Sequence, residues 1–142
     1  MSLSGASGAI PRNDNRRMDS HAERYYEEIR NRKSDVEAIA NNSGFAVGDV
    51  NRVKQHIFIQ KHDLGTDEPL RLTPDYDMAV SWQKLIDGKN IREMDIVLLK
   101  HELVEIEFLS QGYTFDEAHE LAEKKYNYAE YVKELNAREG IV

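Results

Sequence analysis

The sequence predicts an all-α domain: a compact multi-helix unit closed by a C-terminal helical hairpin, with at most one short strand pair. Three observations lead there. Helix start and stop signals recur along the chain. Apolar residues return at spacings of three and four. Only His56-Ile57-Phe58-Ile59 offers the β-branched and aromatic run that suits a strand. With one strand candidate and little to pair it, helices must cover one another's apolar faces.

Residues 1–20 combine Gly, Ser, Asn and Arg with a lone Pro and almost no apolar periodicity, the composition of a flexible lead or linker. Such a lead, running into a helical region that continues to the last residue, suggests a C-terminal module of a larger protein. Residues 21–142 are expected to form the single helical domain. Helices are predicted near 21–32, 34–42, 47–58, 74–86, 91–110 and 115–136. Ser34 with Glu37, Asn90 with Glu93, and Thr114 with Glu117 each place a capping oxygen three residues before a carboxylate that can reach back. Thr73-Pro74-Asp75 is a further start, since proline is tolerated at the first helical position and the acid suits the positive helix end. Asn42-Ser43-Gly44, Asp87-Gly88 and Gln111-Gly112 supply the residues a left-handed helix end needs.

The chain has 142 residues and no cysteine, so disulfides and thiolate metal sites are excluded and any metal must rest on His, Asp or Glu. No apolar stretch approaches the length of a membrane span, and no signal-peptide core follows the N-terminus, so a cytoplasmic location is expected on these grounds. The net charge of −7 repels nucleic acid at long range and so counts against a nucleic-acid partner.

Residues 36–55 nevertheless carry helix-turn-helix spacing, with Ala40, Gly44, Val50 and Val53 at the small, turn and core positions. Any tight helical corner needs the same residues. The second helix offers Asp49, Asn51, Arg52, Lys54 and Gln55, a modest reading surface without the basic footprint of a DNA reader.

The richest segment is 95–128. Met94, Leu98, His101, Glu105 and Phe108 form one helical stripe, and Phe115, His119, Ala122 and Tyr126 form another after Gly112. If the two helices fold back about Gly112, Glu105 faces His119 and His101 lies opposite Glu123. Burying such groups demands mutual satisfaction, either by a hydrogen-bonded His/Glu network or by a divalent ion, zinc or manganese, on His101, Glu105 and His119. His101-Glu102-Leu103-Val104-Glu105 differs by one letter from the H-E-x-x-H helix and resembles a zincin-type metallopeptidase, with Glu102 in the general-base position toward the stripe's edge. The second histidine and the sheet of that family are missing. A separate pair, His56 and His62 with nearby lysines, has the parts of a metal-independent ribonuclease. Trp82 shares a face with Met78 and Leu85 and is expected in the core, its N–H on a polar partner.

The ordered blocks HAERYYEEIRNRKSDVEAIA, GFAVGDVNRVKQHIF, KHDLG, DYDMAVSWQKLIDG, LLKHELVEIEFLSQG and EAHELAEKKYNY resemble a domain at the C-termini of phage minor head proteins and bacterial polymorphic toxins. The resemblance implies a variable effector module, often a nuclease, peptidase or other toxin, joined to the rest of a larger phage or toxin protein. Two functions follow as expectations: a metal-dependent hydrolase, zincin-like or nuclease, or a non-catalytic phage structural or interaction module with a buried His/Glu network.

Overall fold

Asp14 opens the first helix by accepting a hydrogen bond from the Arg17 amide, and from there to Glu139 the chain is chiefly helical in a computed structural model that describes Arg12 and residues 14–139. Helix α1 (Asn15–Asn31) therefore begins inside the stretch expected to be a lead. The reason is packing: Met18 is the first apolar residue of a buried stripe continued by Ala22, Tyr25, Tyr26 and Ile29. Arg12 is also tied down, with its guanidinium on Asp77 at 2.7 Å and on Asn136 Oδ1 at 2.8 Å. The rest of the expected lead, residues 1–11 and 13, lies outside the described residues.

Helices α2 (Asp35–Ser43) and α3 (Val47–Lys54) meet at Gly44, whose φ of 80° is the left-handed cap expected there. Beyond α3 the helix does not run on regularly to 58. It widens into a π-helical turn over Gln55–Ile59, closed by the Gln60 amide on the Gln55 carbonyl at 2.7 Å. The wider turn lets three consecutive residues, His56, Ile57 and Phe58, all face inward. The strand alternative for 56–59 is thus not adopted. A two-residue antiparallel pair follows instead, β1 (Lys61–His62) with β2 (Leu70–Arg71), Lys61 opposite Arg71 and His62 opposite Leu70.

Helix α4 (Tyr76–Asp87) starts on Asp75, which accepts from the Met78 amide, so the cap is the acid itself rather than Thr73. Helix α5 (Glu93–Ser110) starts after Arg92, not at Asn90. Asp95 is fully buried and must be satisfied, and it draws the Arg92 amide (2.8 Å), the Arg92 side chain and the Ser81 hydroxyl (2.7 Å) to itself. Ser34 holds its N-cap position without a side-chain bond. The expected helix 115–136 is two: α6 (Phe115–Lys125) and α7 (Tyr128–Arg138), separated where Asn127 accepts from the Glu130 amide and begins a new helix.

Seven α-helices and one two-stranded sheet are present among the described residues, the all-α class that the sequence predicts. Trp82, Tyr25, Tyr26, Phe58, Ile29, Ile39, Leu85 and Leu99 form the main core. The Trp82 N–H donates to Asp35 Oδ2 at 3.2 Å, and Asp35 is neutralised by Lys54 at 2.9 Å. Helix α5 is the central element, covered by α3, α4 and the π turn as well as by α6 and α7. No helix among the described residues is long and apolar enough to cross a membrane.

Candidate metal centre

The hairpin forms on local chemistry. Gly112 takes φ of 99°, and Thr114 and Glu117 close a reciprocal capping box, the Glu117 amide donating to Thr114 Oγ1 at 3.2 Å and the Thr114 amide to Glu117 Oε1 at 2.9 Å. α6 is thereby laid back along α5, and residues equally far from Gly112 meet. His119 Nδ1 lies 2.9 Å from Glu105 Oε2. His101 Nε2 reaches the same oxygen at 3.4 Å from one turn earlier on α5. His101, Glu105 and His119 thus come together, with the two imidazole rings 5.1 Å apart.

Two details differ from the sequence expectation. His101 does not face Glu123, which instead sits 3.2 Å from His119 Nε2. His101 Nδ1 is 2.9 Å from the Tyr126 carbonyl, which the break between α6 and α7 releases from helical bonding. His119 is half exposed rather than buried on its stripe, its side chain 50% accessible at the rim.

His56 completes the cluster, and sequence reasoning did not join it to the hairpin. The π turn drives its Nε2 to 2.6 Å from Glu105 Oε1, with Glu102 Oε2 at 3.4 Å. His56 comes from a distant segment, so no spacing along α5 and α6 could reveal it; a histidine inside an apolar run was the one available signal. Glu102 is not at the edge of α5 but buried, because α5 is covered on that side as well. Its Oε2 has no hydrogen-bond partner, since the contact to His56 is near enough for charge attraction but not aligned as a hydrogen bond.

Protonation can be read from the partners. A carbonyl only accepts, so the Nδ1–H of His101 donates to Tyr126, which leaves Nε2 as the atom that faces Glu105. In a neutral ring that atom is a lone pair opposed to a carboxylate. A proton or a cation is required between them. His119 has a carboxylate on each nitrogen, and the hydrogen bond to Glu105, opposed by burial, raises its pKa. Burial pushes the Glu105 carboxyl upward, but hydrogen bonds from His101, His119 and His56 outweigh it and hold the group well below the usual carboxylate range. Glu102 goes the other way: burial, then the charge of Glu105, raises its pKa well above that range.

Distances within the hairpin set suit a small ion. Ligand atoms around a tetrahedral zinc with bonds of about 2.0–2.1 Å stand about 3.3 Å apart. The contacts of Glu105 Oε2 with His119 and His101, at 2.9 and 3.4 Å, bracket that spacing. His56, Glu102 and Glu105 form a second such set, their ligand atoms all within 4.8 Å of one another. The wall toward solvent is a cleft of about 570 Å³, lined by His56 and His62 with Arg52, Gln55, Lys61 and Ile106. His62 is not free to act as a partner acid to His56: its Nε2–H donates to the His56 carbonyl at 2.7 Å, and both histidines' Nε2 atoms are therefore engaged. Of the helix-turn-helix surface, Lys54 is withdrawn into its pair with Asp35, and Arg52 and Gln55 face this cleft.

The chain matches no family model, no curated protein and no solved structure.

Proposed function

We propose that this domain is a divalent-metal-dependent hydrolase, with zinc or manganese held by His101 Nε2, Glu105 Oε2 and His119 Nδ1. The observation that supports it most is the His101 ring. Its Nδ1–H donates to a backbone carbonyl, the arrangement that fixes the tautomer and orientation of metal-bound histidines, and its Nε2 is aimed at a carboxylate. A divalent ion between these atoms replaces the proton that the metal-free pair requires. Bound there, such an ion supplies Lewis acidity toward a carbonyl or phosphoryl oxygen and lowers the pKa of water. The half-exposed His119 and the adjoining cleft leave a route for substrate. Glu102 stands beside this set, and its role as base or as ligand depends on how many ions the centre holds.

The resemblance to C-terminal domains of phage minor head proteins and polymorphic toxins supports an effector role for such a hydrolase. The second reading is the non-catalytic interaction module. It is favoured by one observation: a ring nitrogen of His56, His101 or His119 faces each oxygen of Glu105, so protons on those nitrogens satisfy the carboxylate without an ion.

The test is hydrolysis by the full chain, free of any histidine tag, after loading with zinc or manganese and after chelation. Probes are bis-p-nitrophenyl phosphate, p-nitrophenyl acetate and casein. Turnover of one class that is lost on chelation, restored by metal and absent in His101→Ala supports the hydrolase. Metal-independent stability together with no turnover of any probe supports the interaction module.

A further inference from the structure

We infer that the centre is built for two divalent ions, with Glu105 bridging them and His56 and Glu102 completing the second site. This rests on the first site proposed above. The two oxygens of Glu105 are divided between separate groups: Oε2 faces His101 and His119, and Oε1 faces His56. A carboxylate that presents each oxygen to a different nitrogen set has the geometry of a bridge between paired ions, whose usual separation is about 3.5–4 Å.

Glu102 is the independent observation. It is 5% exposed, and its Oε2 is buried without a hydrogen-bond partner while lying 3.4 Å from His56 Nε2. A buried oxygen left in this way is costly, and native structures rarely keep one without an unseen occupant or a chemical role. Two carboxylates side by side in the core also repel each other unless a cation or a proton intervenes. One ion coordinated by His56 Nε2, Glu102 Oε2 and Glu105 Oε1 removes both costs.

The donor set fits the same ions as the first site. One imidazole and two carboxylates suit zinc or manganese, and no thiolate is present to select a softer metal. Paired ions held by helix-borne carboxylates and histidines are a recurrent use of helical interiors. Here the carboxylates sit one turn apart on α5, Glu102 and Glu105, while the histidines arrive from the π turn, α5 and α6. His56 belongs to the cleft wall, so the second ion would stand nearer the cleft than the first and would be the one to meet a substrate entering there. Glu102 is then a ligand, and the general-base role that its H-E-x-x-E position suggested falls away.

The test counts ions. Tag-free full chain is stripped of metal, dialysed against manganese alone, and its bound metal measured together with its electron paramagnetic resonance spectrum. The expected result is two ions per chain with a spin-coupled spectrum. Glu102→Gln, which keeps shape and removes charge, should hold one ion and show the uncoupled pattern of isolated manganese. His56→Gln serves if Glu102→Gln fails to fold, with the same expected loss. One ion in the parent chain, or two ions retained in both variants, overturns the second site and leaves the hydrolase reading standing. No ion in the parent chain overturns both.

Discussion

Glu105 is only 1% exposed, so water does little to solvate its charge, and three imidazoles take water's place. In the metal-free protein this ties stability to pH on both sides. The Glu105 pKa is lowered on folding, so its contribution is present above the unfolded carboxylate value and is lost as pH falls through the folded one. The His119 pKa is raised, so its contribution is present below the unfolded imidazole value and is lost as pH rises through the folded one. Stability of the stripped protein should therefore peak between about pH 4.3 and 6.5, the unfolded values of the two groups. Glu105→Ala should flatten both slopes in denaturant titrations across pH. It should also cost about 3–5 kcal/mol, because it strands buried imidazoles. Spacing along the hairpin puts two histidines on this carboxylate, and the fold supplies a third. An unchanged pH profile in Glu105→Ala would show that the charges are solvated after all.

At the scale of elements, what was legible is what is encoded locally. The hairpin could be read because Gly112, Thr114 and Glu117 carry their turn and cap chemistry within a few residues. The division of the last helix was legible in principle too: Asn127 and Glu130 stand at the same three-residue spacing as the caps that were read, but the helical pattern around them masked it. The π turn and the burial of Glu102 were not legible. Glu102 is buried because α5 is surrounded, and an all-round burial has no periodicity to betray it, while the π turn buries three consecutive residues, which fits no regular helical stripe. The joint between α2 and α4 is equally tertiary. Gly88 has φ of 70°, and a Cβ there would come within 2.8 Å of the Asn42 side chain, which itself donates to the Leu85 carbonyl. Gly88→Ala should thus lose about 1–3 kcal/mol by thermal unfolding, combining backbone strain with a displaced hydrogen bond. Gly112→Ala has open space around its Cβ and should lose only the backbone part. Equal losses in the two variants would remove the Asn42 contact from the explanation.

For the whole molecule, the all-α class followed from periodicity and caps, whereas the centre followed only in part, because it is assembled from segments that meet through the fold. His101, Glu105 and His119 lie on the hairpin, and their meeting could be inferred from distances to Gly112, whereas Glu102 joins them only because α5 is covered on its side as well. His56 reaches them because α3 and its π turn pack against α5, a tertiary contact that no local pattern contains. The expected lead, too, is tied to the fold at its end, since Met18 and Arg12 find partners on elements far along the chain. The most direct measurement on the proposed metal centre is X-ray absorption at the zinc edge of the tag-free protein after loading and gel filtration. Coordination by nitrogen and oxygen at about 2.0–2.1 Å, with the outer-shell scattering of imidazole rings, is the predicted result. Zinc lost on the column, or a shell of oxygen without imidazole scattering, would contradict it.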